Sequence, residues 1–113
     1  MINDAEIDGF RKRLLAERAD LLKEDAQGAE DRETVMLDQT SVGRLSRMDA
    51  MQRQAMAEAT HRRRAARQSR IDAALGRMDE GEFGYCTDCG EEIAPKRLEL
   101  DPTVPTCVSC AKG

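Results

Sequence analysis

Tryptophan is absent from this 113-residue chain, and Tyr85, Phe10 and Phe83 are its only aromatic side chains. So little aromatic volume excludes a thick globular core; the remaining apolar residues, mostly Ala, Leu and Met, suit narrow seams between helices. A single histidine, His61, with no Gly-rich phosphate loop and no nucleophile motif, leaves little for acid–base or phosphoryl chemistry, and an enzyme is not expected. No stretch approaches the 18 apolar residues of a membrane span, so no membrane partner is expected. Acids recur through the first twenty residues, where a signal peptide would be apolar, and the expected location is cytoplasmic. Proline is missing before Pro95, so nothing of that kind interrupts helices upstream. The formal charge of −4 gives no general attraction to a polyanion.

What is present is helical periodicity. Ile7, Phe10, Leu14, Leu15, Leu21 and Leu22, with the aliphatic stem of Arg18, recur at helical intervals from about residue 4 to 26. Asn3 or Asp4 can cap this helix, and Glu6 and Asp8 suit its positive end. A tip over about 28–42 follows, and Thr40 or Ser41 can cap a second helix over about 42–80, which Gly81 and Gly84 close. A helix near 40 residues needs a companion along its length, and the first helix is the only candidate. An antiparallel pairing of Asp4 with Met78 puts the turn near residue 41. Leu45, Met48, Gln52, Ala55, Ala59, Arg62, Ala66, Ser69 and Ala73 trace an alternating three-and-four spacing that would form the seam of the second helix. The expected fold is mainly α: a long antiparallel two-helix hairpin, or coiled coil, over 1–80, followed by a small four-cysteine finger over 81–113.

All four cysteines lie in that last segment, as Cys86-Thr-Asp-Cys89 and Cys107-Val-Ser-Cys110. The separation falls in the range for a zinc finger, and thiols stay reduced in the cytoplasm. A two-residue knuckle lets both thiolates reach one ion, and the intervening loop brings the second pair around. Four thiolates leave no open coordination position, so Cys86, Cys89, Cys107 and Cys110 are expected to hold one structural Zn2+. A thioredoxin-like motif would need a βαβ context that the sequence lacks. His61, in a basic helical stretch far from the cysteines, reads as a solvated surface residue.

The stretch GEFGYCTDCGEEIAPKRLELDPTVPTCVSC resembles the DksA/TraR family of C4 zinc-finger transcription regulators. Phe83, Gly84 and Tyr85 before the first knuckle, Gly90, Ile93, Arg97 and Leu98 between the pairs, and Pro102 before Cys107 carry the resemblance. It implies a regulator of bacterial transcription initiation that binds RNA polymerase, inserts its coiled coil into the secondary channel and needs no specific DNA sequence; a monomer is expected. Members of the family carry a DxxDxA pattern at the coiled-coil tip. This sequence has no such string, and Asp38 and Asp49 are the nearest candidates for effector residues. With three residues after Cys110, the C-terminal helix of longer members is expected to be missing.

Between Arg44 and Arg70 stand eight arginines against two acids, Asp49 and Glu58. The alternative reading is therefore a nucleic-acid-binding zinc-finger protein using this face. No aromatic residue lies among the arginines for base stacking, and Glu17, Asp20, Glu24 and Asp25 of the first helix can pair with them, which favours an ion-paired face.

Overall fold

The computed structural model describes residues 2–29 and 44–112. Four helices stand among these residues: α1 (Asp4–Gln27), α2 (Arg44–Asp79), α3 (Pro95–Leu100) and α4 (Val108–Ala111). Beyond residue 29 the expected tip, with the Thr40 and Ser41 caps, lies outside the described residues.

Local chemistry sets the ends of the long helices. Asn3, the first of the two candidate caps, accepts the Glu6 backbone N–H through Oδ1 at 2.8 Å. Asp4 and Glu6 place negative charge in the first turn. At the far end of α2, Gly81 adopts φ +75° while its N–H donates to Met78 O and the Glu82 N–H donates to Arg77 O. This is the 5→2 and 6→1 bond pair of a Schellman stop, which needs a left-handed residue and so selects glycine.

The residues form two compact units. One comprises residues 1–19 and 67–113; the other comprises residues 20–66. In the first, Arg11 pairs with Asp79 at 2.9 Å and Arg18 with Asp72 at 3.4 Å. One index rises as the other falls, so these helix segments are antiparallel. Its core contains Leu14 of α1, Ile71, Ala74, Leu75 and Met78 of α2, and Phe83, Cys86, Ile93 and Leu98 of the finger. Phe10 and Phe83 meet as a tilted pair with ring centroids 5.8 Å apart. In the second unit, Asp25 lies 2.6 Å from His61 Nδ1, and Arg64 reaches Glu24 and Asp25 at 3.7 Å.

The seam of α2 differs from the one expected. Of its expected residues, Met48, Gln52, Ala55, Arg62, Ala66, Ser69 and Ala73 are exposed, Ala59 is half-buried, and the Leu45 side chain lies outside the described residues. Among the covered positions, Ala50, Gln54, Ala57, His61, Arg64, Gln68, Ile71, Leu75 and Met78 form an unbroken alternation of four and three, flanked by Ala59, Thr60, Arg67, Ala74, Gly76 and Arg77. The heptad is there, on another face. Small residues suggested close packing on the first face, but acids of α1 give His61 and Arg64 partners on the other. His61 is thus hydrogen-bonded to Asp25 on this face, although its side chain, still 41% exposed, keeps part of its expected place in solvent. Leu15 and Leu22, counted as apolar stripe residues of α1, are about half exposed, at 46% and 52%.

Candidate metal centre

Two short backbone devices aim the cysteines. The first is a knuckle in which Gly90 donates its N–H to Cys86 O, Cys86 donates to Glu91 O, and Ile93 donates to Gly84 O. Gly90 takes φ +78° at the turn, and Tyr85 and Glu92 form an antiparallel bridge at its base. The second is α4, which starts directly after Cys107 and places Cys110 one helical turn on, with Ala111 donating to Cys107 O. Thr87 ties the two together by donating its N–H to Pro105 O at 2.8 Å.

All four Sγ atoms lie within 4.8 Å of one another. Cys89 and Cys107 are 3.7 Å apart at sulfur. A tetrahedral ion with Zn–S bonds of about 2.3 Å requires sulfur separations of about 3.8 Å, so the donor set fits one zinc. The electrostatics agree. The Cys89 backbone N–H, chief among several donors, lowers the Cys86 thiol to about 6. The Cys110 thiol is pushed well up by its neighbours, Cys107 first. For Cys89 the Glu91 backbone N–H favours the thiolate, but the adjoining Cys86 and burial prevail and the thiol is raised. The Cys86 thiolate forms readily, while Cys89 and Cys110 are held as thiols chiefly by the neighbouring sulfurs, a condition that a divalent cation shared by the cluster relieves. These four clustered cysteines support one structural zinc ion.

Arginines hold the loop that delivers the second cysteine pair. Arg13 of α1 donates to Glu99 O at 2.6 Å, and Arg77 of α2 donates to Thr103 O at 3.3 Å. Arg97 of α3 donates to Thr106 O at 3.0 Å, next to Cys107. Arg67 grips Glu17 through Nε and Nη2 at 2.5 and 3.0 Å, and donates from Nη1 to Asp101 Oδ1 and Thr103 Oγ1, each at 2.9 Å. The buried Thr103 completes the cluster by donating its hydroxyl and its N–H to Asp101. The Arg67 hydrogen bonds hold the Glu17 carboxyl below its ordinary range. Burial opposes ionisation of Asp101, but donors from Thr103 and Arg67 outweigh it and its carboxyl is lowered too.

Glu17 pairs with the arginine stripe, as the sequence predicts. Asp101 and Thr103, with Arg13 and Arg77, support the finger in a way that the sequence does not predict. The available signal was the Asp-Pro-Thr of 101–103, an Asx-type turn whose acid needs a cation, but nothing local identifies Arg67 as that cation. Asp49 is exposed on α2, and Asp38 lies outside the described residues.

Comparison with known proteins agrees with this geometry. Residues 81–113 match the model of the prokaryotic dksA/traR C4-type zinc finger. Over 41 residues the chain is 49% identical to the RNA polymerase-binding transcription factor DksA of Haemophilus influenzae, a match spanning 36% of this chain and 28% of that one. Over 107 residues it is 29% identical to the protein of the same name from Caulobacter vibrioides, covering 95% of this chain and 74% of the other. The solved structure of transcription factor DksA2 from Pseudomonas aeruginosa superposes with a TM-score of 0.81 at 25% identity, over 97% of this chain and 83% of that one. Residues 81–113 thus form a C4 finger of the dksA/traR type, and the likeness of the longer chain is to DksA proteins.

Proposed function

We propose that this protein regulates bacterial transcription initiation by binding RNA polymerase, with its paired helices entering the secondary channel and one zinc, held by Cys86, Cys89, Cys107 and Cys110, maintaining the finger. The observation that carries this reading is the likeness to the Caulobacter protein, which extends over 95% of the chain and so includes the long helices as well as the finger. That relative is named for RNA polymerase binding. A zinc closed by four thiolates has no position for substrate or water, in keeping with a regulator that is not an enzyme. Asp38 and Asp49 are the proposed effector residues, and no specific DNA sequence is required.

Purified zinc-loaded protein should bind purified RNA polymerase and change the lifetime of promoter complexes. Asp38→Asn with Asp49→Asn should remove the effect on lifetime while binding survives. Absence of binding would refute the functional reading; loss of both binding and effect would refute the separation of effector from docking residues.

A second reading is favoured by the exposure of Arg47, Arg53, Arg62, Arg63 and Arg70 on α2. These side chains could meet the phosphates of a nucleic acid, while Arg64 and Arg67 are taken up by acids of α1. Binding of a generic duplex that weakens steeply with salt and is lost in an Arg62→Gln/Arg63→Gln/Arg70→Gln variant would support it.

A further inference from the structure

Beside the finger, in the unit of residues 1–19 and 67–113, lies a cavity of about 350 Å³. Its floor is apolar, with Ile7 of α1, Met78 of α2, and Phe83 and Ile93 of the finger. Phe83 and Ile93 are each 4% exposed, so these side chains are fixed parts of the core. Three carboxylates, Asp4, Asp8 and Glu92, line the same cavity, and all three residues are exposed. The cation in the wall, Arg11, is engaged by Asp79 at 2.9 Å. The lining therefore offers an apolar floor, a surplus of negative charge, and room for about one large side chain, at the lower end of the size of small-ligand sites.

We propose that this cavity is a docking pocket for a protein segment in which a large apolar side chain is followed directly by Arg or Lys. The apolar group would fill the floor, as anchor residues do at protein interfaces, and the cation would meet the carboxylates. The pairing follows from the lining. An acidic segment would be repelled by Asp4, Asp8 and Glu92, and a purely basic one would leave the floor unfilled. The pocket is separate from the four cysteines and from the exposed arginines of α2, and the proposal does not require RNA polymerase to be the partner.

The test uses the full-length, zinc-loaded protein labelled with 15N and three small probes: acetyl-Phe-Arg-amide, acetyl-Phe-Glu-amide and acetyl-Gly-Arg-amide. The Phe-Arg probe should give saturable shifts at the amides of Gly81, Gly84, Tyr85 and Ile93, with a Kd of order 1–10 mM. The other two should bind at least about fivefold more weakly. Asp4→Asn/Asp8→Asn/Glu92→Gln should reduce Phe-Arg affinity to the level of Phe-Glu, with zinc content and circular dichroism unchanged. If the triple variant does not fold, Glu92→Gln alone should weaken Phe-Arg about twofold. Shifts that do not saturate or that map elsewhere, equal affinity for Phe-Glu or Gly-Arg, or a folded variant with unchanged affinity would overturn the proposal.

Discussion

Arg67 bonds Glu17 of α1 through two nitrogens and, with its third, reaches Asp101 at 2.9 Å, 34 positions along the chain. One guanidinium thus joins both long helices to the loop that delivers Cys107 and Cys110. Only an arginine has the planar fork to do this, since an ammonium is a point donor.

Arg67→Lys should therefore destabilise the zinc-loaded protein by about 1–2 kcal/mol although charge is kept. All three side chains retain some solvent contact, which holds the figure below that of a fully buried network. Urea unfolding measures it, and an unchanged midpoint would mean that the fork contributes nothing.

The same cluster gives a pH dependence of definite sign. Folded Glu17 and Asp101 both have lowered carboxyl values, against ordinary values of 4.5 and 3.8. Their contribution is complete above that ordinary range and is lost as pH falls through the lowered folded values. Stability of Glu17→Gln/Asp101→Asn relative to the parent should therefore be lowest at neutral pH and recover below about pH 4. Zinc release in acid affects both proteins, so the difference between them, read from unfolding curves at several pH values, isolates the carboxylates.

Zinc removal should reach beyond the finger. Phe83 packs on Phe10, and Arg13, Arg67 and Arg77 each donate to residues 99–103, so releasing the cysteines removes partners from both long helices. Chelation should lower the thermal midpoint of the helical signal while leaving much of that signal at low temperature. A helical midpoint unaffected by chelation would show that the helices do not depend on the finger.

The helices and the cysteine quartet were legible in the sequence because each depends on short-range pattern: caps, glycine stops and two-residue knuckles. The face of α2 was not. Its covered positions carry Gln54, His61, Arg64 and Gln68, while Met48, Met51 and Met56 stay 49%, 61% and 70% exposed, so hydrophobicity gives the wrong phase. Where the face carries His61 and Arg64 it is set by acids of α1, a relation between distant residues that periodicity within one helix does not contain, whereas Ile71, Leu75 and Met78 continue it as an apolar core. The Arg67 to Asp101 link was illegible for the same reason.

That seam can be improved. Gln68 lies on it between Arg64 and Ile71, and Gln68→Leu should raise stability by about 1 kcal/mol through added apolar burial. A lower thermal midpoint would place the seam on another face.

Entry of the helices into the secondary channel is tested most directly by local cleavage chemistry. RNA polymerase with Fe2+ in place of its active-site Mg2+ generates hydroxyl radicals that cut only chains close to that metal. The bound protein, end-labelled and zinc-loaded, should be cut between the two long helices, at and around residues 30–50, and excess unlabelled protein should suppress the cuts. A bound protein cut in the finger, or not cut at all, would contradict it.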